Sequence, residues 1–235
     1  FHVIAPDLRG HGDSGWAVGS MYSLIDYVLD VAQLLKVVDR FPVTIVGHSL
    51  GGSISLHYTG IYPERVAKVV AIEGLGPSPQ MIESFKGTPA HERMLHWVRE
   101  MQSLARRRPH HYATLEEAAA RMRDANPRLT EEQAWHLTVH GAQREEDGSY
   151  RWKFDNFTRA VSPYLFNVGD ARDIWGRITC PTLLVRGTET WASDPSIDGR
   201  GDAFTNARVV NVPGAGHWVH HDRLEEFLRI TRAFL

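Results

Sequence analysis

The chain has 235 residues, of which 43% are apolar and 23% charged, and its formal net charge is −2 at pH 7. This length accommodates one large α/β domain or two small ones. The near-neutral charge gives no reason to expect binding to nucleic acid or to a membrane surface. A single cysteine, Cys180, excludes an internal disulfide and a cysteine-based metal site.

No apolar run is long enough to span a bilayer, and the first residues lack the charged segment and cleavage pattern of a signal peptide. We therefore predict a cytoplasmic protein. No residue pattern indicates a cofactor or a metal, and none indicates the oligomeric state.

Strand and helix patterns alternate along much of the chain. The apolar, β-branched runs predict strands at residues 1–5, 43–46, 65–72, 182–185 and 207–212. The amphipathic segments between and after them predict helices at residues 22–38, 50–60 and 224–235. This alternation predicts a mostly parallel sheet that is covered by helices on both faces.

The alternation stops between residue 76 and about residue 170. Helices are predicted there at residues 92–104, 115–124 and 130–141, and Thr130 with Gln133 forms a capping-box pattern. We interpret this segment as a helical insertion over the carboxyl ends of the strands, where open α/β sheets bind ligands.

The strand at 43–46 leads into Gly47-His48-Ser49-Leu50-Gly51, and a helical pattern follows. Strand, sharp turn and helix are the context that the G-x-S-x-G motif requires. We expect Gly47 and Gly51 to remove Cβ atoms that would clash in the turn. Ser49 is then exposed as a nucleophile, and the Leu50 N–H at the helix start is placed to stabilise an oxyanion.

Four motifs in this order resemble the α/β-hydrolase family, and the resemblance runs from Phe1 to Leu235. They are Phe1-His2-Val3-Ile4-Ala5-Pro6-Asp7-Leu8-Arg9-Gly10-His11-Gly12-Asp13-Ser14, the elbow Gly47-His48-Ser49-Leu50-Gly51-Gly52, Pro181-Thr182-Leu183-Leu184-Val185-Arg186-Gly187 and Val212-Pro213-Gly214-Ala215-Gly216-His217-Trp218. The resemblance implies a hydrolase core at 1–75 and 171–235, and a helical cap at 76–170.

The chain departs from the family at its amino end. Residues 1–5 match the family's fourth strand, and the preceding strands, with a His-Gly motif that supplies a second oxyanion donor, are not in this sequence. We therefore expect an incomplete chain that either has low stability or pairs its first strand directly with the elbow strand.

The resemblance implies that His217 is the general base that activates Ser49, and we interpret the nearby His220 and His221 as surface residues. The family's usual acid position, three or four residues past Gly187, holds Thr190 and Trp191, which cannot serve as the acid. Glu73 ends a buried strand at the position that a minority of the family uses, so we predict that it is the acid. Asp194 and Glu189 are the second and third candidates.

These residues predict a serine hydrolase that cleaves an ester, a thioester or a similar small apolar substrate through an acyl-enzyme on Ser49. The same triad would serve a carbon–carbon bond hydrolase or a cofactor-free peroxidase-like enzyme. A non-catalytic ligand-binding protein on the same scaffold is the alternative from another class.

Overall fold

The computed structural model describes residues 1–18, 22–164 and 166–235. Its helices, in chain order, are α1 (Leu24–Val38), α2 (Leu50–Ile61), α3 (Pro79–Lys86), α4 (Ala90–Arg106), α5 (Leu115–Ala125), α6 (Glu131–Gly141), α7 (Val168–Gly176), α8 (Val219–Asp222) and α9 (Leu224–Phe234). Its strands are β1 (Val43–His48), β2 (Val66–Ile72), β3 (Ala142–Arg144), β4 (Tyr150–Trp152), β5 (Thr182–Gly187) and β6 (Ala207–Val212). Within the described ranges, no helix is both long enough and apolar enough to cross a membrane.

Contacts between Cα atoms divide the chain into two units. The sheet unit comprises Leu24–Pro89 and Tyr164–Leu235, and the helical unit comprises Phe1–Ser23 and Ala90–Pro163. This division does not test which segments fold separately, so the predicted domain limits of 1–75, 76–170 and 171–235 stay a prediction.

The sheet unit is built on four parallel strands in the order β1-β2-β5-β6. The parallel sheet and all four of these strands agree with the sequence prediction. They form where the sequence has β-branched runs, whose side chains pack well on a pleated surface.

Apolar side chains fill the space between the sheet and α8 and α9. Val70 and Ile72 of β2 and Val185 of β5 belong to this core, together with Phe227 and Ile230 of α9. Because side chains alternate along a strand, Val69 and Ala71 point to the opposite face, and α2 contacts β1 and β2. Helices therefore cover both faces, which explains the nearly continuous apolar pattern of β2.

The strand predicted at residues 1–5 is wrong. These residues have no regular secondary structure, and the Phe1 and Val3 side chains are fully or largely exposed. The expected pairing of this segment with β1 is also not formed, since β1 pairs with β2 alone within the described ranges. A β-branched sequence sets a local preference, but a strand is stable only when its backbone groups find a partner.

The helical unit contains the three predicted helices, observed as α4, α5 and α6. The predicted capping box at the start of α6 is confirmed, because the Thr130 hydroxyl and the Gln133 side chain each accept from the other's backbone N–H. The unit also holds a short antiparallel hairpin, β3–β4, that was not predicted. Within this unit, the segment Phe1–Ser23 is joined to the segment Ala90–Pro163 by the Tyr22 hydroxyl, which donates to the Asp155 carboxylate at 2.6 Å.

Candidate active site

The predicted site residues lie at the carboxyl ends of the strands in the sheet unit. Ser49 directly follows β1, Glu73 directly follows β2, and His217 lies in the loop after β6. Parallel strands present these ends at one edge of the sheet, which is where α/β folds bind ligands. The topology therefore explains why residues so distant in sequence lie at the same edge of the sheet.

Ser49 occupies a strained turn between β1 and α2. Its φ is 53°, in the left-handed region that side chains other than glycine rarely adopt. Its backbone N–H donates to the Ile72 carbonyl at 2.8 Å, which extends the β1–β2 ladder into the turn. Ser49 also stands at the cap position of α2, but its hydroxyl makes no capping hydrogen bond. The hydroxyl is thus not committed to the helix end.

The glycines around the elbow differ in what they allow. A Cβ at Gly47 would lie 2.2 Å from the Gly51 carbonyl oxygen, so the predicted need for glycine there is confirmed. The same prediction is wrong for Gly51, where a Cβ would meet nothing within 4 Å. The close approach is instead made by Gly52, where a Cβ would lie 2.7 Å from Gly74 Cα. Helix α2 therefore packs against the loop after β2 through backbone contact.

Glu73 is a buried carboxylate whose oxygens are fully engaged. Its side chain is 0% exposed, and its φ of 53° is again left-handed. The Gly187 N–H donates to Oε1 at 2.8 Å, and the Thr190 hydroxyl donates to Oε2 at 2.9 Å. His217 Nδ1 lies 3.4 Å from Oε2, a long hydrogen bond in which the ring N–H donates. These donors compensate for the loss of water around the carboxylate.

The two alternative acids are placed differently. The Asp194 carboxylate accepts from the Ser196 N–H and hydroxyl and from Asn211 Nδ2. Although partial burial acts to raise it, these hydrogen bonds and the nearby Arg186 lower the pKa of Asp194. Glu189 is exposed, and its N–H donates to the Ala215 carbonyl. Among the three carboxylates, Glu73 is the one whose hydrogen bond to His217 the structure records.

His217 is bounded by two aromatic rings. The Trp191 ring lies 5.3 Å from the His217 ring at an angle of 33°, and Trp191 is 61% exposed. The His48 ring lies 4.8 Å away on a tilt of 54°. In the described part of the chain, Ser49 Oγ makes no hydrogen bond to His217.

The interpretation of His220 as a surface residue is wrong. His220 lies on α8 and is half-buried, with its ring 4.8 Å from the His48 ring and 6.1 Å from the Phe227 ring. Its Nδ1 is buried and has no hydrogen-bond partner among the residues that the structure describes. Burial, with the nearby His48 and His221, lowers the pKa of His220 to about 4. The ring is therefore neutral at neutral pH.

A buried ion pair holds two of the site loops together. The Arg200 guanidinium bonds to the Asp198 carboxylate at 2.8 Å and donates to the Gly76 and Ser193 carbonyls. Burial alone would raise the pKa of Asp198, but the hydrogen bonds from Arg200 and Ser193 bring it below its ordinary value. This pair joins the loop that begins at Glu73 to the loop after β5.

Sequence reasoning did not identify two side chains that contact the predicted triad. Thr190 was considered only as a residue that cannot be the acid, whereas its hydroxyl binds Glu73. His48 was assigned no contact with His217, whereas its Nε2 bonds to the His217 carbonyl at 2.8 Å. A hydroxyl at the vacant acid position was the available signal for Thr190. No local signal was available for His48.

Comparison with known proteins identifies the family of this fold. Residues 1–224 match the family described as the alpha/beta hydrolase fold. A serine hydrolase-like protein of Danio rerio is 24% identical over all of this chain and 73% of its own length. A putative esterase/lipase of Haemophilus influenzae is 24% identical over all of this chain and 74% of its own length.

Among solved structures, a hypothetical protein from Pseudomonas aeruginosa PAO1 superposes with a TM-score of 0.80 at 26% identity. The match covers 97% of this chain and 79% of that structure. The matched fold and the named relatives agree on one family. The chain belongs to the α/β-hydrolase family, and it is an enzyme of that family whose relatives include a protein named as serine hydrolase-like and one named as a putative esterase/lipase.

Proposed function

We propose that this enzyme is a serine hydrolase that cleaves an ester, a thioester or a similar small apolar substrate through an acyl-enzyme on Ser49. The observation that carries the proposal is the pairing of His217 Nδ1 with Glu73, a carboxylate whose side chain is completely buried. A buried carboxylate that accepts from Nδ1–H leaves Nε2 of the same ring free to act as a base.

In the proposed reaction, Ser49 Oγ attacks the substrate carbonyl carbon while His217 Nε2 takes the hydroxyl proton. The carbonyl oxygen becomes an oxyanion, which the Leu50 N–H stabilises. The first N–H groups of a helix have no acceptor within it, and Leu50 is the first residue of α2. His217 then returns the proton to the leaving alcohol or thiol, and water releases the acyl group by the same route.

Glu73 has two tasks in this scheme. It selects the His217 tautomer that carries its proton on Nδ1, and its negative charge stabilises the imidazolium that forms during the reaction. The donors Gly187 N–H and Thr190 Oγ keep the carboxylate oriented without bringing a competing positive charge near it. The exposed Trp191 beside His217 offers an apolar wall to a substrate group.

An active-site fluorophosphonate probe tests the proposal directly. We expect the probe to form a covalent adduct on Ser49, located by peptide mass spectrometry, and we expect the protein to hydrolyse p-nitrophenyl acetate. Ser49→Ala should abolish the adduct and the hydrolysis while circular dichroism stays unchanged. A folded wild-type protein that is neither labelled nor active would contradict the proposal.

A further inference from the structure

His48 links the nucleophile elbow to the loop of the base. It is the last residue of β1 and immediately precedes Ser49. Its Nε2 lies 2.8 Å from the carbonyl oxygen of His217, so the ring N–H donates to the backbone of the base itself. The bond joins residues that are 169 positions apart. The residue next to Ser49 in the chain is therefore hydrogen-bonded to the proposed general base, His217.

The His48 ring is held on more than one side. Its centroid is 4.8 Å from the His217 ring and 4.8 Å from the His220 ring, at angles of 54° and 65°. Burial lowers the pKa of His48, and together with the proximity of His217 and His221 it outweighs the hydrogen bond to the His217 carbonyl and the proximity of Glu73, which act in the opposite direction. The ring is therefore neutral at neutral pH, and its donor bond adds no positive charge beside an imidazolium on His217.

Hydrogen bonds from neighbouring residues position the loop that carries His217, since the Gly214 N–H donates to the Thr188 hydroxyl at 3.0 Å and the Glu189 N–H donates to the Ala215 carbonyl at 2.8 Å. Gly214-Ala215-Gly216 precedes His217, and glycine has more backbone freedom than any other residue. On one side the Gly216 N–H donates to Asp222 at 2.7 Å. On the other side, the bond from His48 holds the carbonyl of His217. The two contacts together restrain the backbone on both sides of the His217 Cα atom.

We infer that His48 is a positioning residue, which sets the separation between Ser49 and His217 through its bond to the His217 carbonyl. This inference rests on the proposed function, since it assigns the bond a role in proton transfer between these two residues. A shift of about 1 Å in such an arrangement can lower a rate by about a hundredfold. Loss of the bond should therefore reduce kcat more than it changes KM.

Two variants separate the donor from the ring. His48→Gln retains an N–H donor at the position of Nε2 but loses the ring, whereas His48→Phe retains a ring and loses the donor. With p-nitrophenyl acetate as the probe, we expect His48→Phe to lower kcat about ten- to a hundredfold with KM within about twofold. His48→Gln should stay within about threefold of wild type. If His48→Phe does not fold, His48→Leu removes the donor with a smaller side chain.

The outcomes can be told apart. Equal kcat in wild type and His48→Phe, or equal losses in His48→Phe and His48→Gln at similar melting temperatures, would overturn the inference. Those results would leave the proposed function intact if Ser49 is still labelled by the fluorophosphonate in the wild-type protein. A wild-type protein that shows no Ser49 adduct would instead contradict the proposed function itself.

Discussion

At the residue scale, the predicted nucleophile and acid are two of the three non-glycine residues in the described ranges that have a positive φ, the third being Asp39. Ser49 and Glu73 each have φ of 53° and each stands directly after a strand. A side chain in this region costs roughly 1–2 kcal/mol, which the surrounding structure must offset. Such strain concentrates at functional sites because it aims a side chain that an ordinary turn would direct elsewhere.

The role of Glu73 leads to a first prediction. Glu73→Gln preserves the size of the side chain but removes the charge, and its amide can donate to His217 Nδ1 and select the wrong tautomer. We expect kcat for p-nitrophenyl acetate to fall about 10²–10⁴-fold. Asp194→Asn is the matched control, since Asp194 bonds to Ser196 and Asn211, and it should keep kcat within a few-fold of wild type. Near-normal kcat in Glu73→Gln would remove this residue from the mechanism.

At the scale of elements, the elbow depends on close backbone packing between β1, α2 and the loop after β2. Gly47 faces the Gly51 carbonyl, and Gly52 faces Gly74 at distances that no side chain can occupy. Gly51 lies in the same motif but faces open space. The three glycines of the elbow, Gly47, Gly51 and Gly52, thus differ in whether they are needed for packing.

Single alanine substitutions should separate these glycines. Gly47→Ala and Gly52→Ala place a Cβ against backbone atoms, so we expect each to lower the free energy of unfolding by about 2–3 kcal/mol or more. Gly51→Ala is the control, and it should raise stability by about 0.5–1 kcal/mol because alanine is the better helix former. Urea denaturation monitored by circular dichroism measures all three. A loss in Gly51→Ala as large as in Gly52→Ala would contradict this description.

The first segment and the hairpin show where element prediction failed. Residues 1–5 have the composition of a strand but find no ladder partner in the described part of the chain, whereas β3 and β4 are short and polar yet pair with each other. Each outcome was decided by the availability of a hydrogen-bonding neighbour. A pattern within one segment carries no information about that neighbour.

At the scale of the whole molecule, a row of histidine rings connects the site to the core. The His48 ring lies between the rings of His217 and His220. The centroid of the His220 ring is also 4.4 Å from that of His221 and 6.1 Å from that of Phe227 on α9. Of the groups that face His220, only Asp222 favours its proton, while His48, His221, His217 and burial oppose it. Protonation of His220 at low pH should therefore lower the free energy of unfolding.

The direction of the pH effect follows from these groups. The unfolded His220 gains its proton near pH 6.5, but the folded one does so only near pH 4. Between these values protons favour the unfolded state, so stability is highest above pH 6.5 and is lost as the pH falls towards 4. Because solvent partly screens the ring, we expect this group to contribute about 1–2 kcal/mol of the loss.

Replacement of His220 measures this contribution. In His220→Phe, the free energy of unfolding should fall less between pH 7 and pH 4 than in wild type, by about 1–2 kcal/mol. The exposed His91 on α4, changed to Gln, is the control, and its pH dependence should match that of wild type. Urea denaturation at each pH gives the comparison. Parallel curves for wild type and His220→Phe would show that His220 is not responsible.

The sequence by itself determined the parallel α/β class, the four sheet strands and the elbow, because these depend on local periodicity and on the G-x-S-x-G turn. It also supplied the candidates Ser49, His217 and Glu73 through their positions after strands. Only the tertiary structure decided that Thr190 supports Glu73, that His48 holds the His217 backbone and that His220 is half-buried. The first two are contacts between residues 117 and 169 positions apart, and sequence patterns do not record which strand ends become neighbours.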